Sequence, residues 1–394
     1  MPTLDHHHTG ARIKEQRRLA RLTQRKLASR LPYSYSLLNQ VECGARPATA
    51  DFVAACAKAL NVDVTTLTGQ PYVTELQRDR LAELVRPIRE SLDLYDLGPA
   101  PDLTVRPAEK LIAGADHLCE EVRATHLRNA ARKLPDLIAE LTHAAWSGTS
   151  TELWQALAST YRTAHDISVK LGYYDLSAVA LDRMDWAAQR ASDPCLAAVR
   201  QYMRALVYFR EGEYRIGQRL VASGHVVVGQ AEETREALAV TGQLHLGASV
   251  ICARAQDQAA VDVHIGEARQ IANRIGDASH VHWLSFGPAN VALHKMSAAV
   301  EMSQYDNALK QARKMKLPAQ LATSRRAHFL IDRARAEMET GRRERALEDL
   351  VEARRMAPEQ TRYHPGARET ITGLVHLARR TPDTLSHMAS WIGL

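Results

Sequence analysis

The chain has 394 residues, 45% hydrophobic and 24% charged, an ordinary globular composition with room for two or more domains. No run of 18 apolar residues occurs, so no membrane span is expected. The N-terminal MPTLDHHHTG lacks the apolar core of a secretory signal. Cys43, Cys56, Cys119, Cys195 and Cys252 are far apart and form no C-x-x-C pair. That spacing argues against a zinc or redox motif and against a disulfide framework, and points to a reduced, cytoplasmic setting.

The net charge of +6 is unevenly spread. Residues 1–70 hold ten Lys and Arg against five acidic residues, whereas the remaining 324 hold 41 against 40. A basic head beside a neutral body fits a polyanion-binding module joined to a second domain. A chance fluctuation of five charges would look the same.

In chain order, His6-His7-His8 reads as a disordered terminus with at most weak metal affinity. Thr9–Arg21 reads as a first helix capped by Thr9. Thr23 caps a second, Gln24–Leu31, with Leu27, Ala28 and Leu31 on one face. Pro32 and Tyr33 interrupt it, and Ser34 caps a third helix, Tyr35–Cys43, whose buried stripe is Leu37, Leu38 and Val41. Gly44 stands where a left-handed C-cap is expected. Thr49 opens a fourth helix with Val53, Cys56, Ala57 and Leu60 inward, and Asp63 starts a last short one ending at Gly69.

The third helix carries the functional signal. Tyr35, Ser36, Asn39 and Gln40 share its outer face and offer hydroxyls and amides, which both donate to and accept from base edges in a major groove. An ordinary polar surface is the alternative.

The stretch LTQRKLASRLPYSYSLLNQVECGARPAT resembles the helix-turn-helix of the phage Cro/repressor type, the Xre family. The matching features are Leu22-Thr23-Gln24, Leu27-Ala28, Ser34, Glu42-x-Gly44 and Ala57-x-x-Leu60. The resemblance implies a five-helix, lambda-repressor-like domain over residues 1–69 that binds a double-stranded DNA operator. It implies that Gln24 holds a backbone phosphate at a helix N-terminus. Tyr35, Ser36 and Gln40 would face bases with Ser34 and Asn39 beside them, and Arg46 would reach a phosphate. Arg17 and Glu42 match an internal ion pair. Pro32 replaces the glycine usual at the turn, so that turn must be built differently.

Residues 70–107 contain a helical stretch around Glu75–Leu94 and then LGPAPDLTVRP, and read as a joint rather than a core element. From 108 to 394 helix follows helix, with breaks at 147–151, 172, 192–194, 212, 276–278, 287–288, 318, 341, 358 and 365. Only Val226–Val228 hints at a strand. Breaks near every 35–45 residues suggest repeats. In HFLIDRARAEMETGRRERALEDLVEARRMAP, the positions Ala346, Leu350, Ala353 and Pro358 resemble a tetratricopeptide second helix. The whole chain resembles actinobacterial regulators that join this head to a tetratricopeptide-like solenoid. The expected class is therefore all-α.

Large aromatic and imidazole side chains gather at Trp154, Tyr161, His165, Tyr173, Tyr174 and Trp186, and again at His280, His282 and Trp283. They either line a groove for a small-molecule or peptide effector or fill gaps between irregular repeats. No phosphate-binding loop, nucleophile elbow or H-E-x-x-H pattern occurs, and His117-x-Cys119 and His280/His282 do not complete a tetrahedral metal set. The expectation is a non-enzymatic regulator with no cofactor and no metal. It would form a homodimer, with a body that senses an effector or serves as a protein-interaction scaffold.

Overall fold

The computed structural model describes residues 8–71, 75–100, 102–378 and 381–394. His6, His7 and Pro101, which the sequence reading touched on, lie outside the described residues. The described chain is helical, and among the described residues the only β-type pairing is one isolated bridge, Ala278–Phe286.

The head comprises α1 (Thr9–Leu19), α2 (Gln24–Ala28), α3 (Tyr35–Glu42), α4 (Ala50–Leu60) and α5 (Val64–Thr68). They enclose one core that includes Ile13, Leu27, Leu38, Val41, Phe52, Val53, Cys56 and Leu67. The cap of α1 is His8 rather than Thr9: its Nδ1 accepts from the Ala11 amide at 3.2 Å. His8 also meets the His376 ring edge-on at 5.8 Å, so it belongs to the folded head rather than to a loose tail. Thr23, Ser34 and Thr49 cap α2, α3 and α4 through side-chain oxygens, satisfying amides that lack helical partners.

The α2–α3 turn shows how proline is accommodated. α2 stops at Ala28, three residues short of the sequence expectation, and the chain then folds through the tight bonds Arg30 N–Leu27 O and Leu31 N–Ala28 O. No residue from Ser29 to Ser34 has positive φ, so Pro32 fits without strain. After α3, Gly44 takes φ +78°, the left-handed cap expected there.

The connecting helix α6 (Glu75–Asp93) is more than a joint. Val85, Ile88 and Leu92 are buried in the same core as the body, which corrects the expectation that 70–107 lies outside any core.

The body is a stack of helix pairs. Its inner helices are α7 (Ala108–Arg123), α9 (Thr151–Leu171), α11 (Pro194–Glu211), α13 (Arg235–Arg254), α15 (Pro288–Glu301) and α17 (Thr323–Glu339). Each is followed by an outer helix: α8 (Leu127–Ser147), α10 (Tyr174–Arg190), α12 (Tyr214–Val228), α14 (Gln258–Ile275), α16 (Tyr305–Lys314) and α18 (Arg343–Met356). Then come α19 (Pro358–Tyr363), α20 (Pro365–Leu377) and α21 (Asp383–Ile392). Ala346, Leu350 and Ala353, the positions that resemble a repeat, are fully buried, and Ala180, Ala187, Ala268 and Ala308 are likewise buried small residues where helices approach closely. Val226–Val228 is the last turn of α12, not a strand.

Two features of the stack position everything else. Each inner helix touches the next, and α7 also meets α17, so the inner helices close a ring. Arg128 of α8 pairs with Glu359 of α19 at 3.3 Å across that closure. The head sits against the C-terminal ends of the inner helices, where Asp51, Tyr214, Arg254 and Glu301 meet. Among the described residues, no helix is long and apolar enough to cross a membrane.

Candidate nucleic-acid interface

Tyr35, Ser36, Asn39 and Gln40 are all exposed on α3, while Leu38, Val41 and Glu42 are buried beneath them. The 3.6-residue period produces this split: apolar contacts fix one side of the helix and leave the amide and hydroxyl side free. Ser34 is exposed as well, but its hydroxyl oxygen is engaged by the Leu37 amide at 3.2 Å.

Gln24 ties α2 to α3. Its Nε2 donates to Glu42 Oε2 at 2.8 Å and to Asn39 Oδ1 at 3.3 Å, and its Oε1 accepts from the Tyr35 hydroxyl at 3.2 Å. Two of the four outward residues are thus held in place by the residue expected to grip a phosphate. Below them, Arg17 makes a bidentate pair with Glu42, Nε–Oε1 at 2.7 Å and Nη2–Oε2 at 2.8 Å, and donates to the Leu22 carbonyl at 2.8 Å. The Glu42 hydrogen bond raises the Arg17 pKa further, so the guanidinium keeps its charge. Gly10 permits the α1–α3 packing that this pair clamps: a Cβ there would lie 1.8 Å from the Val41 carbonyl oxygen.

Arg46 is exposed, on the rim of a cleft of about 860 Å³ between head and body. Tyr33, Leu37 and Asp51 line its head side, and Tyr214, Arg254 and Arg335 line its body side. The sequence reading missed this cleft, because nothing in either segment signals the other. Asp51 anchors it, accepting from the Tyr214 hydroxyl at 3.2 Å and standing 3.1 Å from Arg254 Nε. Burial pushes the Asp51 carboxyl up to about 6 despite Arg254, with Glu301 adding to the rise. Arg254 also donates to Glu301 at 3.0 Å and lies 3.8 Å from the centre of the Phe209 ring. Lys58–Glu213 and the Thr9–Glu369 hydrogen bond complete the docking.

The aromatic and imidazole residues singled out in the body divide among separate places. Trp154 and Trp186 pack with Trp146 and Tyr95, with Arg190 stacked 3.8 Å from the Trp186 ring. Tyr161 and His165 are buried in α9, and His165 Nδ1 lies 3.2 Å from the Ser177 carbonyl. Tyr173 packs against the body core, whereas the Tyr174 hydroxyl reaches Gln70 at the head joint. His280 meets Trp283 edge-on at 5.2 Å, and the Trp283 indole donates to Asp116 at 3.0 Å. His282 meets Glu236 at 2.6 Å, and Cys195 joins them with donor atoms mutually within 4.8 Å. That three-donor group is also one the sequence did not reveal. These residues therefore do not converge on one groove.

A family model described as a helix-turn-helix domain matches residues 8–68. The chain is similar to the propionyl-CoA carboxylase regulator of Cereibacter sphaeroides, with 41% identity over 93 residues, 23% of this chain and 20% of that protein. It therefore spans about a fifth of the length of the curated relative it matches. No solved structure matches. The head of this chain is a helix-turn-helix domain.

Proposed function

We propose that the chain is a sequence-specific transcriptional regulator of the Xre type. Its head reads an operator, and its tetratricopeptide-like body senses an effector and joins two copies into a dimer. The observation that carries the reading is the exposed set Tyr35, Ser36, Asn39 and Gln40 on α3, braced from below by Gln24, Glu42 and Arg17. A relative named as a regulator supports it, and five free cysteines suit a cytoplasmic protein. The function needs no catalytic step. Two heads in a dimer would address half-sites about 34 Å apart.

Operators selected from genomic fragments by the full chain provide the test. Gln40→Ala should weaken specific binding by about 1–3 kcal/mol, and Arg46→Ala should lower the salt slope by about one. Unchanged affinity and salt slope in both variants would remove the proposed contact surface.

A further inference from the structure

The ring of inner helices surrounds a lumen with an unbalanced charge. Arg123, Arg162, Lys170, Arg210 and Arg325 reach into it from α7, α9, α11 and α17, while the carboxylates among them are Asp166 and Asp332. Asp166 is already shared: it takes a hydrogen bond from Arg123 at 2.8 Å and lies 3.8 Å from Arg162. Burial alone would raise its pKa, but those two guanidinium groups hold it down at about 2. Asp332 accepts from Ser297 at 2.5 Å, and burial pushes its carboxyl up to about 6; at neutral pH it is still mostly ionised, so Asp166 and Asp332 together offset two of the five cations.

Among the described residues, Arg325 and Arg210 make no ion pair, although Asp332 acts on Arg325 from a distance. Arg325 has no acceptor for Nε, and its Nη2 faces only His294 Nδ1 at 3.4 Å. That nitrogen is already engaged 2.9 Å from the Asn290 carbonyl, which can only accept, so Nδ1 carries the proton and cannot receive another. Arg210 has an unpartnered Nη1 and lies 5.4 Å from the centre of the Tyr174 ring. Lys170 sits in the fields of Arg123, Arg325 and Arg210, offset in part by Asp166, and its hydrogen-bond acceptor is the neutral Gln360, at 2.6 Å. Close by, Arg162 is 1% exposed with an unsatisfied Nε, and Asn290 is 1% exposed with an unsatisfied Oδ1. The head-side carboxylates Asp51 and Glu301 are engaged by Arg254, and both also feel Arg335.

Arg325, Arg210 and Lys170 are half-buried, and cations withdrawn from bulk water are costly unless something negative completes them. We propose that the lumen is a binding site for an anionic small molecule, whose carboxylate or phosphate group is received by Arg325 and Arg210 with Lys170 beside them. Guanidinium forks suit the planar or tetrahedral oxygens of either group. The proposal rests on the effector-sensing reading of the body and gives that effector its chemical class. It also places the ligand beneath the head, because Lys170 and Arg210 lie in the last turns of α9 and α11, next to the docking contacts.

The test uses the full chain with inorganic phosphate, pyrophosphate and succinate as probes, against chloride at matched ionic strength. At least one probe should raise the melting temperature of the unmutated protein saturably. Arg325→Met and Arg210→Met should each weaken that effect by roughly tenfold to a hundredfold. Without probe, the same variants should melt at or above the unmutated protein, because an uncompensated charge has gone. Arg325→Lys should retain part of the response. Equal probe binding by both Met variants would place the anion elsewhere, on the basic head for example, and would overturn the proposal. A melting temperature unmoved by any probe, or both Met variants melting well below the unmutated protein, would do the same. Operator binding in probe-free buffer should be the same for all variants. If it is, and the probes do nothing, the lumen proposal fails while the DNA-binding reading stands.

Discussion

The clamp beneath the recognition helix offers the sharpest perturbation. Glu42 is 3% exposed and Arg17 8%, and the carboxylate receives two bonds from Arg17 and one from Gln24. Glu42→Ala leaves the guanidinium buried with only the Leu22 carbonyl, so it should cost about 3–5 kcal/mol. A domain of this size has a total stability of roughly 3–9 kcal/mol, so the loss approaches the whole. Arg17→Met should cost a similar amount by stranding the carboxylate. Replacing both, Arg17→Met with Glu42→Leu, removes the charges together and should cost far less than the two single losses added. Native-state hydrogen exchange of α1 to α5 reads the head separately from the body. Operator affinity should fall in Glu42→Ala as well, through the freed Gln24. A single-variant loss below about 1 kcal/mol, or a double variant as damaged as the singles added, would refute the reasoning.

Further perturbations probe the head packing, the docking contact and the buried imidazoles. Gly10→Ala drives a methyl onto the Val41 carbonyl. It should cost more than about 3 kcal/mol, because backbone must move, and head exchange protection that survives intact would argue against this. Arg254→Met takes from Asp51 and Glu301 the guanidinium they share, leaving the Tyr214 hydroxyl and the charge of Arg335, and should weaken head docking by about 3 kcal/mol. Small-angle scattering should then report a larger radius of gyration, restored when Asp51→Asn and Glu301→Gln are added; an unchanged radius sinks the idea. Burial lowers the pKa of His165 to about 4 and of His294 to about 3, below the unfolded value near 6.5. Each therefore contributes stability above pH 6.5 that is lost as the pH falls toward its folded value, about 2 kcal/mol by pH 5. Asp51 and Asp332, raised to about 6, oppose this in the same window. The clean readout is hence the difference between proteins: His165→Gln should lose about 2 kcal/mol less than the unmutated chain between pH 7 and 5 in urea titrations.

What the sequence reveals about this molecule depends on how far apart the cooperating residues lie. Tyr35, Ser36, Asn39 and Gln40 fall within six positions, so one helical period places them together whatever the rest of the chain does. The caps at Thr23, Ser34 and Thr49 are just as local, whereas the α1 cap was missed by one residue because imidazole is an uncommon cap. The body repeats are legible through their small residues, but the use of their inner surface is not. Trp154 and Trp186 attract attention by bulk, yet they pack against Trp146 and Arg190. Arg123, Arg210 and Arg325 look like any other charged residues at helical spacing. Their meaning depends on closure between α7 and α17, which brings Arg123 into the field of Arg325, some 200 positions along the chain. A charge on an open solenoid has water around it and needs no partner. The same charge half-buried inside a closed ring has less water around it, so an anion that completes it is favoured more strongly than on an open surface. Ring closure therefore converts an unremarkable set of arginines into a preference for an anion, and no pattern along the chain encodes that closure.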